Sequence, residues 1–275
     1  MIPEPNRIIC DDALACLRLL PDGWAQTVIA DPPYYNVLTN ESWDTQWADE
    51  AAYIAWCEDW VKEAMRVVRS DGLVFCFGQL GKREKVFLQV MASLTRHYQF
   101  HDLLIWDRVV GYNERRDSFT PAYEMILILR KSQRPYFNKD VVRETYPPEV
   151  IAKYARDKRY KNKEARLAHL HRGKYATNIL RVPSLKGSSS EKRGHPSQKP
   201  AALIRKLILC ASRPGDLVLD PFIGSGTTAI CAKQLGRSWF GVDKNPAYAT
   251  KARKAVEATR APAPISPHME RLVGT

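Results

Sequence analysis

The sequence predicts an α/β fold built on a doubly wound, mostly parallel sheet that carries one large insertion. Three observations carry that expectation. Short apolar runs alternate with amphipathic stretches of helical length, and two of those runs end on an aspartate, Asp31 and Asp220. Between about Arg130 and Ser190 the alternation gives way to polar, basic and aromatic residues.

Taken in order, Arg7-Ile8-Ile9-Cys10 reads as a first strand, and Ala13 to Leu20 as a helix that Asp11 or Asp12 could cap. Thr27-Val28-Ile29-Ala30 is a β-branched run suited to a buried parallel strand. From about Asp49 to Arg69, Ile54, Trp60, Val61, Met65 and Val68 share one face of a long helix, which Ser70-Asp71-Gly72 is expected to stop. Leu73 to Phe77 is the next strand, Glu84 to His97 a helix, and Leu103 to Trp106 and Met125 to Leu129 further strands. The pattern resumes with a helix from Ala201 to Ala211, a strand Asp216 to Asp220, a glycine turn, a helix Thr228 to Leu235 and a strand Ser238 to Asp243. The tail from Ala261 reads as extended or disordered.

At 275 residues and 45% hydrophobic, the chain can bury a full core. No apolar run reaches the ~18 to 20 residues of a membrane span, and the N-terminus lacks a signal-peptide pattern, so the cytosol is the expected compartment. The six cysteines form no Cys-x-x-Cys pair, which predicts neither disulfides nor a metal site. The net charge of +12 is more telling, because a basic surface gathers polyanions. Between Ile151 and Ala176 nine Lys and Arg residues face two acids. Of these, Lys158, Arg159, Lys161, Lys163, Arg166, Arg172 and Lys174 are the candidate polyanion contacts, although a run of charge is by itself no more than a solvated helix face.

Two short segments carry the chemistry. Asp220-Pro221-Phe222-Ile223-Gly224-Ser225-Gly226-Thr227 joins a strand to a helix through a tight turn, and Asp243 ends the following strand. Gly224 and Gly226 let backbone approach a ligand, and an acid at the second strand end can accept ribose hydroxyls. A pyrophosphate turn has no use for Asp220 ahead of its glycines. The ammonium group of a methionyl moiety does.

Asp31-Pro32-Pro33-Tyr34 follows a buried strand at its carboxyl end, where active-site groups of such sheets collect. An exocyclic base amine is a poor nucleophile because its lone pair is delocalised into the ring. The Asp31 carboxylate and the Pro32 carbonyl can draw on its hydrogens and localise that pair, while Tyr34 offers a face to an unstacked base. A plain proline turn is the competing reading of the loop taken alone.

Together with His195-Pro196-Ser197-Gln198-Lys199-Pro200, these segments resemble the β class of amino-group DNA methyltransferases over about residues 7 to 258. The resemblance implies a Rossmann-like S-adenosylmethionine-dependent methyltransferase fold. In it, residues 1–106 form the catalytic half, 107–190 a target-recognition insertion, 191–260 the cofactor half and 261–275 a tail. It further implies that Asp12, Asp31, Lys199, Asp220, Pro221, Phe222, Gly224, Ser225, Gly226, Thr227 and Asp243 surround S-adenosylmethionine, with Lys199 closing over its amino-acid end. Asp31, Pro32, Pro33 and Tyr34 would then hold the target amine, and Phe119 would lie near the target base. Asp11 stands where the class has glycine, which leaves open whether Asp11 or Asp12 faces the cofactor adenine.

The expected activity is methylation of adenine N6 in a base flipped out of double-stranded DNA, with a restriction-modification setting and a homodimer as what the class allows. Cytosine N4 is the alternative, set against by Asp31 where cytosine enzymes more often carry serine. An RNA or protein-glutamine methyltransferase would more usually begin this loop with asparagine. A binding protein without turnover would tolerate loss of Asp31.

Overall fold

The computed structural model describes residues 3–38, 40–80, 85–111, 114, 116–157, 159 and 161–260. Its strands are β1 (Arg7–Cys10), β2 (Ala25–Ala30), β3 (Val68–Gly78), β4 (Gln99–Asp107), β5 (Tyr123–Arg130), β6 (Ile179–Arg181), β7 (Leu217–Asp220) and β8 (Ser238–Asp243). They form one sheet in the order β1-β8-β7-β2-β3-β5-β4-β6. Only β5 runs against the other seven.

The helices are α1 (Ala13–Leu19), α2 (Glu50–Val67), α3 (Val86–His97), α4 (Pro148–Ala155), α5 (Lys163–Arg172), α6 (Ala201–Ala211), α7 (Thr227–Gln234) and α8 (Pro246–Glu257). Leu17, Trp60, Val61 and Leu94 bring α1, α2 and α3 onto one face of the sheet. Leu203, Leu207, Ile208 and Cys231 bring α6 and α7 onto the other, and Ala249 and Ala252 of α8 pack beside α7. Helices on both faces explain why all six residues of β2 are buried. Several helices start where a side chain replaces a missing carbonyl: Asp12 accepts from the Ala15 amide at 3.0 Å and Asp49 from the Ala52 amide at 2.8 Å.

The expected strands and the helices between them are present, with two differences. Ser70-Asp71-Gly72 does not stop a helix; α2 ends at Val67 and these residues already belong to β3. Gly72 is required there by contact, since a Cβ would lie 2.3 Å from the Gln26 carbonyl oxygen and 2.6 Å from Val68 Cγ2. The polar stretch after Arg130 contains α4, α5 and β6, which the periodicity does not announce. Within residues 107–190, β5 is an interior strand between β3 and β4, and β6 forms one edge of the sheet. Glu84, Lys158 and the tail 261–275 lie outside the described residues. No helix among the described residues is long and apolar enough to cross a membrane.

Gly72→Ala should therefore lower stability by about 1–3 kcal/mol, because the extra methyl meets backbone and cannot be accommodated by a rotamer change. The check is a urea melt, which should show a lower midpoint with an unchanged slope.

Candidate active site

The parallel strands deliver their carboxyl ends to one edge, and four aspartates gather there. Asp12 follows β1, Asp243 ends β8, Asp220 ends β7 and Asp31 follows β2, in the spatial order of the strands. All four line one cavity of about 430 Å³, together with Pro32, Pro33, Lys199, Pro221, Phe222, Gly224, Ser225 and Thr227. That size lies within the range of small-molecule sites. Asp12 lines it and Asp11 does not.

Asp220 is 5% exposed and forms no ion pair with any described Lys or Arg. Its Oδ1 accepts from the Phe222 amide at 2.9 Å. Burial, with Asp31 and Asp243 adding repulsion, pushes its pKa up to about 7 against the help of that amide and of Thr228. A buried carboxylate with no cation of its own, on a cavity wall, suits a cationic ligand. Asp243 is likewise raised by burial; it accepts from the Gly224 amide at 2.9 Å and the Asn245 amide at 2.8 Å, tying the glycine turn to β8.

The two glycines of the turn serve different ends. Gly224 (φ +48°) lies on the cavity wall, and a Cβ there would come within 3.1 Å of His195 Nε2. Gly226 (φ +81°) does not line the cavity; its missing Cβ lets α8 approach, with Ala252 Cβ 3.0 Å away. His195 packs edge-on against Tyr248 at 4.4 Å and over Trp43 at 6.1 Å. Burial, reinforced by Lys199, Lys192 and Lys251, lowers its pKa to about 4, so the ring is neutral.

At the other end, Asp31 belongs to a buried charged cluster. Its Oδ2 accepts from Lys199 Nζ at 2.7 Å and its Oδ1 from the Tyr34 hydroxyl at 2.6 Å. Lys199 Nζ also lies 3.4 Å from Glu124 Oε2, and the Tyr34 hydroxyl 3.2 Å from the same oxygen. Arg108 closes the row, with Nη1 2.9 Å from Glu124 Oε1. Burial pushes the Asp31 carboxyl above the usual carboxylate range while the Lys199 ammonium opposes it. Burial works against the charge on Lys199, but Asp31 and Glu124 outweigh it and hold the ammonium above its ordinary value. Lys199 thus sits against Asp31, with Phe77 and Trp106 rings within 6.0 Å. Tyr34 turns its hydroxyl into this cluster and does not line the large cavity.

Glu124 and Arg108 are absent from the sequence-derived site. One signal existed: Glu124 is an acid at the head of the apolar run Met125 to Leu129, an expensive place for an unpartnered charge. Asp44 is another, buried behind the motif loop, where its Oδ2 accepts from the Val37 amide at 2.9 Å and the Leu38 amide at 2.5 Å. Phe119 is 95% exposed.

Several described basic residues of the insertion have partners of their own. Arg159 pairs with Asp157 at 2.6 Å, Arg172 with Asp140 at 3.0 Å and Lys174 with Glu144 at 3.2 Å. Arg166 packs over the Tyr154 ring at 5.3 Å. Lys161 and Lys163 are exposed at the start of α5. Lys158 lies outside the described residues.

A family model described as DNA methylase, the N6/N4 type, matches residues 25–254. Among curated proteins, the chain is 30% identical over 254 residues to the DNA adenine methyltransferase YhdJ of Escherichia coli, covering 89% of this chain and 80% of that protein. It is 27% identical to the type II methyltransferase M.HpaI of Haemophilus parainfluenzae, covering 92% and 74%. Among solved structures, the PvuII cytosine-N4-specific DNA methyltransferase superposes with a TM-score of 0.68 at 16% identity, covering 99% of this chain and 92% of that one. The M1.HpyAVI complex with SAM gives 0.59 at 23% identity, covering 90% and 97%.

The raised Asp220 pKa has a consequence for stability. The folded value of about 7 lies above the unfolded ~3.9, so the native state holds the extra proton between them and loses stability as pH rises through that window. Asp220→Asn keeps the acceptor and removes the charge, and should raise the ligand-free protein's stability at pH 8 by about 2–4 kcal/mol. Thermal melts at pH 8 and pH 4.5 check this: the gain should shrink to about 1 kcal/mol or less at the lower pH.

Proposed function

The chain belongs to the N6/N4 DNA methylase family, and from that premise we propose that it transfers a methyl group from S-adenosylmethionine to adenine N6 in double-stranded DNA. The observation that carries the reading is the pairing of two unlike acids on one cavity: Asp220, buried without a cation, and Asp31, held by Lys199. The first fits the ammonium of the cofactor's methionyl group. The second fits the hydrogens of an exocyclic amine.

Asp220, Pro221, Phe222, Gly224, Ser225 and Thr227 would hold the methionyl part, and Asp243 the ribose, with Asp12 toward the adenine. Gly226 supports this group by bringing α8 against the turn. When bound, S-adenosylmethionine supplies an electrophilic methyl group. The chain's own part is to orient the amine and bear its charge. Asp31 accepts a hydrogen of the target N6, which keeps the lone pair on nitrogen and stabilises the positive charge that grows there. The Pro32 carbonyl would accept the second hydrogen, and Pro33 stiffens the loop. Aspartate in the motif and the likeness to an adenine methyltransferase support N6 over cytosine N4.

Residues 107–190 would carry target recognition. Arg159, Arg166, Arg172 and Lys174 are partly occupied by neighbours, whereas Lys161 and Lys163 stand exposed to meet phosphate. A duplex must also give up a base to reach the cavity edge, at an expense of a few kcal/mol.

Mass spectrometry of nucleosides from unmodified DNA incubated with the protein and S-adenosylmethionine should show N6-methyladenine; N4-methylcytosine alone would overturn the base assignment. Asp31→Ala should cut the transfer rate by about 10²-fold or more while cofactor affinity, read by tryptophan quenching, stays within about threefold. Replacing Lys161 and Lys163 together by alanine should flatten the salt dependence of DNA binding by about two units of log–log slope. An unchanged slope would remove them from the interface.

A further inference from the structure

The cluster around Asp31 contains one proton donor that two carboxylates compete for. The Tyr34 hydroxyl has a single hydrogen, and it lies 2.6 Å from Asp31 Oδ1 and 3.2 Å from Glu124 Oε2. In this arrangement the shorter contact takes it, on the oxygen that a target amine needs. The same Glu124 oxygen stands 3.4 Å from Lys199 Nζ, and Glu124 is itself fixed through its other oxygen by Arg108 at 2.9 Å.

We propose that Glu124, oriented by Arg108, is a positioning residue for methyl transfer: it takes over the Tyr34 hydroxyl and keeps Lys199 in place when the target amine occupies Asp31. The inference rests on the methyltransferase reading given above. No covalent step is involved. The Tyr34 hydrogen bond passes from Asp31 to Glu124, whose Oε2 lies 3.2 Å from the hydroxyl, and the vacated Asp31 lone pairs accept the amine.

Charge explains why Arg108 belongs to the device. Along the row Arg108, Glu124, Lys199 and Asp31 the signs alternate, and the four side chains are between 7% and 20% exposed. Two carboxylates sharing one ammonium in so dry a place would leave an excess negative charge. Arg108 removes that excess. Asp31, which Lys199 holds toward the ionised form against burial, is thereby left as an acceptor. The other titratable groups facing Asp31 are Asp44 from the loop before α2, Asp220 at the end of β7 and Tyr53 of α2, and none of them is a cation.

Both residues come from the arm of the sheet beyond β3, Arg108 just after β4 and Glu124 in β5. The strand that reverses direction thereby presents its second residue at the same edge as the carboxyl ends of its parallel neighbours. A polar strand head there reaches the motif loop directly.

The test is the pH dependence of single-turnover methyl incorporation into unmodified DNA, measured for the wild type, Glu124→Gln, Arg108→Met and the double variant at saturating cofactor. Glu124→Gln should slow transfer by about tenfold to a hundredfold with unchanged cofactor affinity, and should move the acid limb of the profile to lower pH. Arg108→Met should move that limb up by about one pH unit, because the cluster then carries the excess charge. The double variant is neutral again and its limb should return to the wild-type position, while Arg108→Lys keeps both charge and limb. A purely structural role predicts lower melting temperatures without these opposed displacements. Coincident limbs in all the folded variants, or a wild-type rate in Glu124→Gln, would overturn the proposal. If Arg108→Met does not fold, Glu124→Gln against Arg108→Lys decides it alone. Absence of methyl incorporation by the wild type would instead sink the methyltransferase reading.

Discussion

Negative charge converging on one edge of a parallel sheet is the constraint around which this molecule is arranged. Four adjacent strands, β1, β8, β7 and β2, end on or next to aspartates, and the sheet geometry brings those ends together whatever the charges prefer. Three of the four acids are served by backbone amides: Asp12 by Ala15, Asp220 by Phe222, and Asp243 by Gly224 and Asn245. Amides orient a carboxylate but do not neutralise it. Burial therefore wins at Asp220 and Asp243, whose pKa values rise, and the cavity is left as a receptor for positive charge.

Asp31 is treated differently, and the difference divides the cavity into two working ends. Its cation, Lys199, lies 168 positions along the chain, immediately before α6. The ion pair thus fastens the loop after β2 to the segment entering the opposite helical layer. At Asp220 no cation pairs with the carboxylate among the described residues, which leaves it open to a positively charged ligand. At Asp31 the protein supplies its own, an arrangement that suits an acceptor for a neutral amine. One cavity can then hold a cationic donor molecule and an uncharged acceptor group side by side.

The parts of this arrangement that were legible in the sequence are the local ones. Asp220 to Thr227 could be read because strand, turn and helix are contiguous, and Asp31 to Tyr34 because the motif follows a buried run. Glu124 and Arg108 could not be paired with that loop, since their place depends on β5 lying between β3 and β4, a matter of strand order that periodicity does not encode. The surroundings of the Tyr34 hydroxyl are half local: it donates to Asp31 within the motif at 2.6 Å, but the second carboxylate beside it, 3.2 Å away, belongs to a residue 90 positions along the chain. Helices α4 and α5 went unseen because they bury almost nothing, with Leu170 as the one buried residue between them. The charge of that region was visible; its shape was not. The closeness of Gly226 to α8, 3.0 Å from a Cβ position there to Ala252 Cβ, is likewise a contact between distant segments that the local turn does not reveal.

The two outer strands of the sheet are short, four residues in β1 and three in β6. Each carries an arginine, Arg7 tied to Glu4 and Arg181 lying 3.6 Å from Asp107. Stubby, charged rims of this kind discourage one sheet from adding its hydrogen bonds to the next. Copies of the protein crowded along the same stretch of polyanion would thus be kept from zipping into a continuous ribbon, and any pairing between them would have to use side-chain surfaces and leave the backbone ladders closed.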